Sequence, residues 1–369
     1  MQMVFMQRTS VACALWRDKA AVIEPVELKI SKPVRLQDIA DRAGVSRATV
    51  SLALRNHASI PPATRKRIQA VAKQLGYRPN PLVSALMSYQ RTTQPARPTH
   101  LTLAMIVNFS RRDPWPRYLS EDLISSAAAR AEQLGYRLEE FWLGDLKLTA
   151  KRLNSVLYRR SIPGVIIAPL PAAHGHLRLD WPNFSAVAIG HSLTRPLLHR
   201  VTTNRFRALR MAVRQLRRRC FERLGLAIQS NQDRRVDHQW GAAFEWEQQQ
   251  VPASQRTPAF IVEESEWTER RFAKWFEASR PQVIFGYDPA IVVWLNNLGR
   301  RVPKDVGFVH LWTPDRSGDF AGIYHDPPAI GAAAVDFLVG MIHRNERGVP
   351  AAAQTLVLEA SWQDGVTLP

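Results

Sequence analysis

The stretch VRLQDIADRAGVSRATVSLALRN at residues 34–56, with GYRPNPLVSALMS at 76–88, decides how the first part of this 369-residue chain folds. Its opening apolar residues recur at i, i+3, i+4 and i+7, the spacing of one face of a helix. They are Leu36, Ile39, Ala40 and Ala43. Gly44 follows, and glycine readily adopts the left-handed conformation that ends a helix. The pattern predicts a short amphipathic helix and a tight turn.

Two more helices are predicted after this turn. Ser46 lies where an N-cap belongs, so its hydroxyl can accept a backbone N–H at the start of a second helix. The predicted inward residues of that helix are Val50, Ala53 and Leu54. A third helix is expected from about Pro62 to Leu75, stopped by Gly76. Three helices joined this tightly make a module of about 45 residues, which can fold alone but only marginally.

Positive charge is concentrated in the same region. The whole chain has a formal net charge of +18, and residues 34–91 contain ten Lys/Arg against two Asp/Glu. Most of the basic residues are arginines, so the overall excess can reflect codon composition. The local clustering does not depend on that explanation, and it is typical of a surface that binds phosphate.

The segment resembles the DNA-binding headpiece of the LacI/GalR (lactose-repressor) family of bacterial transcription regulators. The matching residues are Asp38, Ala40, Ala43, Gly44, Val45, Ser46, Thr49, Val50, Ser51, Thr64, Arg65, Tyr77, Pro79, Asn80 and Leu86. The resemblance implies a hinge helix that orders when two protomers meet on DNA, with Leu86 entering the minor groove. Asn80 and Pro81 suit the start of such a helix, but a helix ending near Ser88 is too short to be stable alone in water.

The resemblance also implies which residues contact DNA. They are Arg47, Ala48, Thr49, Ser51, Leu52, Arg55, Asn56, Asn80 and Leu86. Arg47 is the predicted base contact, ahead of Asn56 and Arg55, whereas Thr49 and Ser51 are predicted to bind phosphate. For any single position the alternative is an ordinary solvated surface residue.

Two residues depart from the family pattern. Leu52 stands where the base-reading helix usually carries an arginine, and Arg35 replaces the hydroxyl residue that usually caps the first helix. Leucine cannot donate hydrogen bonds to guanine, but it can contact a thymine methyl group. The operator is therefore expected to differ from the usual operator of the family.

The ends and the linker of this region carry weaker signals. Residues 1–33 are predicted to be a flexible leader or an over-extended gene start, with an accessory arm as the alternative. Cys13 and Cys220 give neither a disulfide framework nor a metal-ligand spacing, which favours a reducing, cytoplasmic location. No apolar run approaches the roughly eighteen residues of a membrane span. The helix-turn-helix domain is assigned to 34–78, and the hinge helix and polar linker to 79–100.

Strand and helix patterns alternate through residues 101–369, which predicts parallel sheets flanked by helices. Strands are predicted at 101–109, 137–143, 164–170, 185–192, 223–230, 259–263, 282–288, 306–311 and 355–362. Helices are predicted at 119–134, 150–159, 205–218, 237–250, 268–278, 289–298 and 329–344. This length should divide into two lobes. The predicted fold class is α/β with an N-terminal all-α headpiece and two doubly wound lobes, resembling the periplasmic binding proteins that the family uses for effector binding and dimerisation.

A small-molecule cleft is expected between the lobes, because ligands of such sheets bind at the carboxyl ends of the strands. The predicted contacts are Phe109, Trp115, His191, His238, Tyr287, Asp288 and Trp312. The arginine, asparagine and aspartate of sugar-responsive relatives are replaced by His238, Tyr287 and Trp312. Aromatic rings can still stack on a pyranose. The predicted effector is a sugar or sugar derivative, with a non-carbohydrate metabolite or no ligand as alternatives.

No enzyme motif competes with this interpretation. The sequence contains no phosphate-binding glycine loop and no nucleophile elbow, and His174-Gly175-His176 is predicted to be a loop rather than a metal site. No catalytic residue, cofactor or metal is assigned. The prediction is a homodimeric repressor on a pseudo-palindromic double-stranded DNA operator, without a membrane partner. The alternative is a non-exported solute-sensing module whose basic head serves another purpose.

Overall fold

The computed structural model of this protein describes residues 36–54, 59–75, 77, 101–109, 120–146, 150–313 and 316–369. The chain separates into two compact units, Met1–Pro79 and Asn80–Pro369. Several predicted features lie outside the described residues: the leader at 1–33, the hinge and linker at 79–100, and the side chains of Arg35, Arg55, Asn56, Asn80, Leu86 and Trp115.

The first unit contains the three predicted helices. They are α1 (Leu36–Ala43), α2 (Arg47–Leu54) and α3 (Pro62–Gln74). Gly44 adopts a φ of +64°, and the Val45 N–H donates to the Ala40 carbonyl at 3.0 Å, which closes the end of α1. The Ser46 hydroxyl accepts the Thr49 N–H at 3.1 Å. Both the glycine stop and the serine cap are thus confirmed.

The headpiece core is small and apolar. Its buried residues are Ile39, Ala40, Ala43, Val50, Ala53, Ile60, Ile68 and Ala72. Leu54 was predicted to be buried, but it is only partly so, because it lies at the C-terminal end of α2 where the covering helices stop. The Gln69 amide ties α3 to the end of α2 by donating to the Ala53 carbonyl at 3.3 Å.

The second unit consists of two six-stranded, mostly parallel sheets with helices on their faces, and a small sheet of two further strands. Its helices are α4 (Glu121–Gln133), α5 (Leu143–Leu146), α6 (Ala150–Arg159), α7 (Arg205–Arg218), α8 (Ser230–Arg234), α9 (Gln239–Gln249), α10 (Glu269–Ser279), α11 (Ala290–Asn297) and α12 (Pro327–Arg344). Its strands are β1 (Thr102–Val107), β2 (Arg137–Trp142), β3 (Gly164–Ile167), β4 (Gly175–His176), β5 (Ser185–Ile189), β6 (Leu193–Arg195), β7 (His199–Thr203), β8 (Leu224–Gln229), β9 (Phe260–Val262), β10 (Val283–Gly286), β11 (Gly307–His310), β12 (Gly322–Tyr324), β13 (Thr355–Leu358) and β14 (Ser361–Gln363). No described helix combines the length and the apolar character that a bilayer span requires.

Each sheet defines one lobe. Lobe 1 has the strand order β2-β1-β3-β5-β7-β13, and lobe 2 has the order β9-β8-β10-β11-β12-β14. Neighbouring strands are parallel except that β14 runs antiparallel to β12. Alternate residues of a strand face opposite sides: Met105 joins the core under α4 and α12, whereas Ala104 and Ile106 join the core under α6. The predicted two-lobed α/β class is confirmed.

The structure corrects two details of the predicted strand pattern. The segment 355–362 was predicted as one strand, but it forms β13 in lobe 1 and β14 in lobe 2. Strands β7 and β12 were not predicted at all, nor were the short β4 and β6, and β4 contains two residues of the His174-Gly175-His176 segment that was predicted to be a loop. Strand β7 was missed because of its composition: four of its residues are polar and nevertheless buried, namely His199, Arg200, Thr202 and Thr203. A buried strand is expected to be an apolar run, and this one is not.

Strands β7 and β12 matter because the chain passes from one lobe to the other directly after each of them. Within the described residues, the chain crosses from β7 to α7, returns from β12 to α12, and crosses again from β13 to β14. Helix α7 packs against α9, β12 and β14 of lobe 2, whereas α12 packs against α4 and the strands of lobe 1. The lobes are therefore joined by adjacent connections, the arrangement that allows a cleft beside them.

Helices α4 and α12 form the closest helix pair of lobe 1, and a glycine makes that approach possible. A β-carbon at Gly331 would lie 2.2 Å from the Leu123 carbonyl oxygen and 2.8 Å from the Ser126 hydroxyl. The Ser126 hydroxyl lies 2.6 Å from the Asp122 carbonyl of its own helix and 3.0 Å from the Pro328 carbonyl of α12, so the two helices are in direct contact here. Both opposing groups belong to a packed helix and cannot move aside cheaply.

We expect Gly331→Ala to lower the free energy of unfolding by about 1–3 kcal/mol, because the added methyl group forces the two helices apart. Urea denaturation followed by circular dichroism measures this. The control is Gly340→Ala in the same helix, where the nearest atom is the end of the flexible Arg344 side chain at 3.0 Å. This control should keep or slightly raise stability, since alanine favours the helix. Equal effects of the two changes would contradict the packing argument.

Candidate nucleic-acid interface and inter-lobe cleft

The start of helix α2 is the most accessible part of the predicted DNA-reading helix. Arg47 and Ala48 are exposed, whereas Thr49, Ser51 and Leu52 are partly buried. Leu52 packs in part against the headpiece core. Leu52 therefore contributes to the fold and is only partly accessible. Arg47 is exposed, and its guanidinium is the strongest hydrogen-bond donor on this helix.

The hydroxyl of Thr49 is engaged within the headpiece. Its Oγ1 lies 2.8 Å from the Ser46 Oγ, which also accepts the Thr49 N–H. The two hydroxyls cap α2 together, and a contact from Thr49 to phosphate would have to share this bond. Further exposed cations lie on the neighbouring helices: Arg42, Lys66, Arg67 and Lys73. The headpiece thus presents several exposed cations in addition to Arg47.

The second unit contains a cleft between its lobes, with a cavity volume of about 40 Å³. Its polar lining residues are His191, Ser192, Thr202, Thr203, Arg205, Gln232, Arg235, Tyr287 and Trp312. The lobe 1 residues end or follow β5 and β7, and Tyr287 and Trp312 follow β10 and β11 of lobe 2. The cleft therefore lies at the carboxyl ends of the strands, where parallel sheets bind ligands.

The predicted effector residues divide between the cleft and its surroundings. The structure places His191, Tyr287 and Trp312 in the lining. It does not bring three others there. Phe109 packs against the core of lobe 1. The remaining two, His238 and Asp288, are each next in sequence to a residue at the cleft but are not lining residues themselves.

His238 and Asp288 have structural roles in their own elements. His238 is an exposed residue with a left-handed backbone before α9, and its Nδ1 lies 3.4 Å from Asp233 Oδ2. Asp288 accepts the Ala290 N–H at 3.1 Å and the Trp267 indole N–H at 3.2 Å, so its carboxylate orders the start of α11. Neither residue is in the described lining of the cavity.

Residues behind the cleft hold the rings of Tyr287 and Trp312 in place through a hydrogen bond and ring contacts. The Tyr287 hydroxyl accepts the indole N–H of the fully buried Trp240 at 2.7 Å. Trp312 stacks on His325 with a centroid distance of 4.3 Å and an angle of 14° between the rings. Trp240 meets His325 edge-on at 5.9 Å. The lining rings are consequently fixed in place, and Trp240 supports them from outside the lining.

His325 lies at the crossing from β12 to α12 and is completely buried. Its Nε2 is 3.0 Å from the Leu311 carbonyl of lobe 2, and its Nδ1 is 2.9 Å from the Thr203 hydroxyl of lobe 1. A carbonyl only accepts, so Nε2 carries the proton and Nδ1 accepts from the hydroxyl. Burial, together with the charge of Arg205, lowers the pKa of His325 to about 3. The neutral imidazole thus links the lobes.

His191 is a partly buried imidazole in the lining of the cleft. Its Nδ1 lies 3.3 Å from the Thr202 hydroxyl, and its Nε2 lies 3.4 Å from the Gln239 amide nitrogen of lobe 2. Burial lowers the pKa of His191 to about 4, and the charges of Arg205 and Arg200 act in the same direction. His191 is therefore also neutral near pH 7, in a region of positive potential.

Sequence reasoning missed two arginines of the lining. The Arg205 guanidinium is buried, and it donates to the Thr202 hydroxyl at 3.0 Å and lies 5.8 Å from the Trp312 ring. Burial lowers its pKa, whereas the Tyr287 hydroxyl raises it. Arg235 belongs to lobe 2, and its guanidinium donates to the Leu170 and Pro171 carbonyls of lobe 1.

The signal that could have revealed Arg205 was its position. It is the second residue after β7, and the residues that follow a parallel strand are where cleft residues occur. Because β7 was not predicted, Arg205 was assigned only to the first turn of a helix. No group of at least three His, Cys, Asp or Glu residues suited to a metal ion is present in the described part of the chain.

Comparison with known proteins identifies the first unit directly. Residues 35–80 match the family model described as bacterial regulatory proteins, lacI family. The catabolite control protein A of Priestia megaterium is 40% identical over 60 residues, which cover 16% of this chain and 18% of that protein. The sequence match thus spans less than a fifth of the curated relative.

Comparison of structures extends the likeness to the whole fold. The transcriptional regulator CelR-cellobiose complex has a TM-score of 0.53 at 17% identity, covering 90% of this chain and 99% of that chain. The lac repressor dimer bound to operator and the anti-inducer ONPF has a TM-score of 0.50 at 18% identity, covering 92% and 100%. At these identities the likeness shows the fold: a helical N-terminal region followed by two α/β lobes.

The lowered pKa values of His325 and His191 make the stability of the folded protein depend on pH. An unfolded histidine takes up a proton as the pH falls through 6.5, whereas His325 in the folded protein does so only near 3. Each such histidine therefore removes about 1.4 kcal/mol of stability for every pH unit between these values. Urea denaturation at pH 7 and pH 5 should show this loss in the wild type.

We expect His325→Gln to weaken this pH dependence by about the contribution of one histidine. Glutamine has an amide that can replace the donor but does not titrate in this range. The matched control is His238→Gln, because that imidazole is exposed. The idea would be abandoned if His325→Gln and the wild type lost the same stability between pH 7 and pH 5.

Proposed function

We propose that this protein, whose residues 35–80 are a lacI-family DNA-binding domain, is a sequence-specific transcription regulator rather than an enzyme, acting in the cytoplasm as a repressor. The observation that carries the proposal is the headpiece. Its glycine stop, its serine cap and the exposed Arg47 on α2 are the features that a helix entering the major groove requires.

The proposed assembly on DNA is a homodimer. The fold is similar to that of a lac repressor dimer bound to operator, which supports a two-fold arrangement without establishing it for this chain. Two-fold symmetry requires a pseudo-palindromic operator with one recognition helix in each half-site. The hinge segment that contains Asn80 and Leu86 would then meet its copy at the centre of the operator.

The inter-lobe cleft is proposed to bind the effector. Its lining combines fixed aromatic rings with polar groups from both lobes, which is the usual composition of a small-molecule site. The similar CelR structure contains cellobiose, which supports a sugar or sugar derivative. Binding that separates or closes the lobes would change the spacing of paired hinge segments. Such coupling between two sites is usually worth about 1–3 kcal/mol.

A footprint of the purified protein on the DNA upstream of its own gene tests the function. We expect a protected pseudo-palindrome. Arg47→Ala should weaken binding to that site by about 1–3 kcal/mol and relax its sequence preference, because the variant loses a base contact. The control is Arg42→Ala, which removes the same charge from an exposed position on α1 and should act equally on all sequences. Binding without sequence preference or palindrome would overturn the proposal.

The hinge leucine has its own test. We expect Leu86→Ala to weaken specific binding far more than nonspecific binding, because only the specific complex gains from bending the duplex around a wedged side chain. Gel-shift titrations with operator and with scrambled DNA measure the two affinities. An equal loss of affinity for both DNAs would contradict insertion of Leu86 into the minor groove, but it would not contradict the predicted contacts of α2.

A further inference from the structure

We propose that the effector of the inter-lobe cleft carries an anionic group, a carboxylate or a phosphate, that pairs with Arg205. The inference rests on the proposed function, since it names the ligand class of the same cleft. It depends on a charge that the protein buries in the cleft wall without supplying a counter-charge.

The burial of Arg205 is nearly complete. The residue is 7% exposed, and its hydrogen bonds go to neutral oxygens, those of Thr202 at 3.0 Å and Thr203 at 3.4 Å. Its Nε has no hydrogen-bond partner among the described residues. The nearby groups that compensate its charge are the Tyr287 hydroxyl and the face of the Trp312 ring. None of these groups carries a negative charge.

The rest of the described lining does not provide a counter-charge either. It contains Arg235 and His191 but no aspartate or glutamate. The Asp288 carboxylate is occupied at the start of α11, and the Asp233 carboxylate accepts the Trp240 and Gly241 N–H groups at 3.2 and 3.1 Å. The exposed Asp237 carboxylate acts electrostatically on His191 and Arg200, but it is not a lining residue. Arg205 itself has no carboxylate of the described residues acting on it, and the described lining carries two guanidinium groups.

The free-energy cost of burying the unpaired Arg205 charge indicates which class of ligand the cleft binds. Burying a guanidinium without an opposite charge is unfavourable by several kcal/mol, which bonds to neutral oxygens offset only in part. A neutral sugar would leave the charge uncompensated, whereas an anion would pair with it in a site from which water is excluded. Charged hydrogen bonds of this kind are roughly twice as strong as neutral ones.

Other donors of the cleft suit the same ligand. The Ser192 oxygen accepts the Leu170 N–H at 2.8 Å, so its own proton remains to be donated. Arg235 reaches across the cleft to the carbonyls of Leu170 and Pro171. An anion would be a stronger acceptor for this guanidinium than either carbonyl. Such competition would release one contact that holds the lobes together.

The small volume of the cavity implies that the lobes move apart when the effector binds. A volume of about 40 Å³ holds a few water molecules on the same measure, and it does not hold a pyranose. An effector larger than its anionic group therefore requires the lobes to separate. Exchange of the Arg235 contacts for the ligand would favour that movement, which links the anion to the spacing of the lobes.

Calorimetric titration of the full chain with matched probes tests the proposal. The probes are inorganic phosphate, gluconate and glucose 6-phosphate, with glucose as the neutral counterpart. We expect at least one anion to bind ten times more tightly than glucose. Arg205→Met should weaken that binding by about 10- to 100-fold, and Arg205→Lys should weaken it less because the charge remains. Arg214→Met, an exposed position on the same helix, should leave it unchanged.

The outcomes distinguish an anionic effector from nonspecific binding of anions and from failure of the proposed regulatory function. The proposal is wrong if none of the three anions binds more tightly than glucose. It is also wrong if the anions bind equally to the wild type and to Arg205→Met, because binding would then be nonspecific on a basic surface. Urea denaturation checks that the variants fold, and Arg205→Lys carries the test if Arg205→Met does not. An intact operator footprint without anion binding would overturn this inference alone, whereas anion binding without a footprint would overturn the regulatory function alone.

Discussion

The buried imidazole of His325 is the interaction on which the two-lobed unit depends. It bonds the Leu311 carbonyl of lobe 2 and the Thr203 hydroxyl of lobe 1 at a point where the chain passes between them. In the neutral ring Nε2 donates to the carbonyl and Nδ1 accepts from the hydroxyl, and complete burial keeps the ring neutral. Trp312 stacks on the same ring, so the joint between the lobes also fixes one wall of the cleft.

The cleft combines this rigid joint with contacts that are easier to exchange. Arg235 bonds backbone carbonyls across the gap, and Gln239 approaches His191 at 3.4 Å. Neither contact is part of a packed core. A ligand can therefore replace them without disturbing the joint at His325. A regulatory domain needs this division, since lobes without a fixed joint would not transmit a defined movement and lobes without exchangeable contacts would not move.

Particular residues show how far the sequence could predict this structure. Helix α7 was predicted with its observed bounds, because its apolar residues keep the helical period and Asn204 caps its start. The segment 355–362 was predicted as one strand, since its pattern of strand-forming residues runs on almost without a break. Its division between two sheets depends on which strand edges are available in each lobe, and those edges are formed by distant residues. The polar strand β7 was missed because its burial is a tertiary property.

The sequence by itself determined the headpiece, the α/β class of the remainder and the presence of a cleft at the carboxyl ends of the strands. These follow from local periods, caps and turns, which act within a few residues of the chain. Only the tertiary structure decided which side chains line the cleft. It placed Arg205 and Arg235 there, placed Asp288 at a helix start and left His238 exposed. The physical reason is that burial and charge pairing depend on neighbours far apart in sequence, and no local pattern records them.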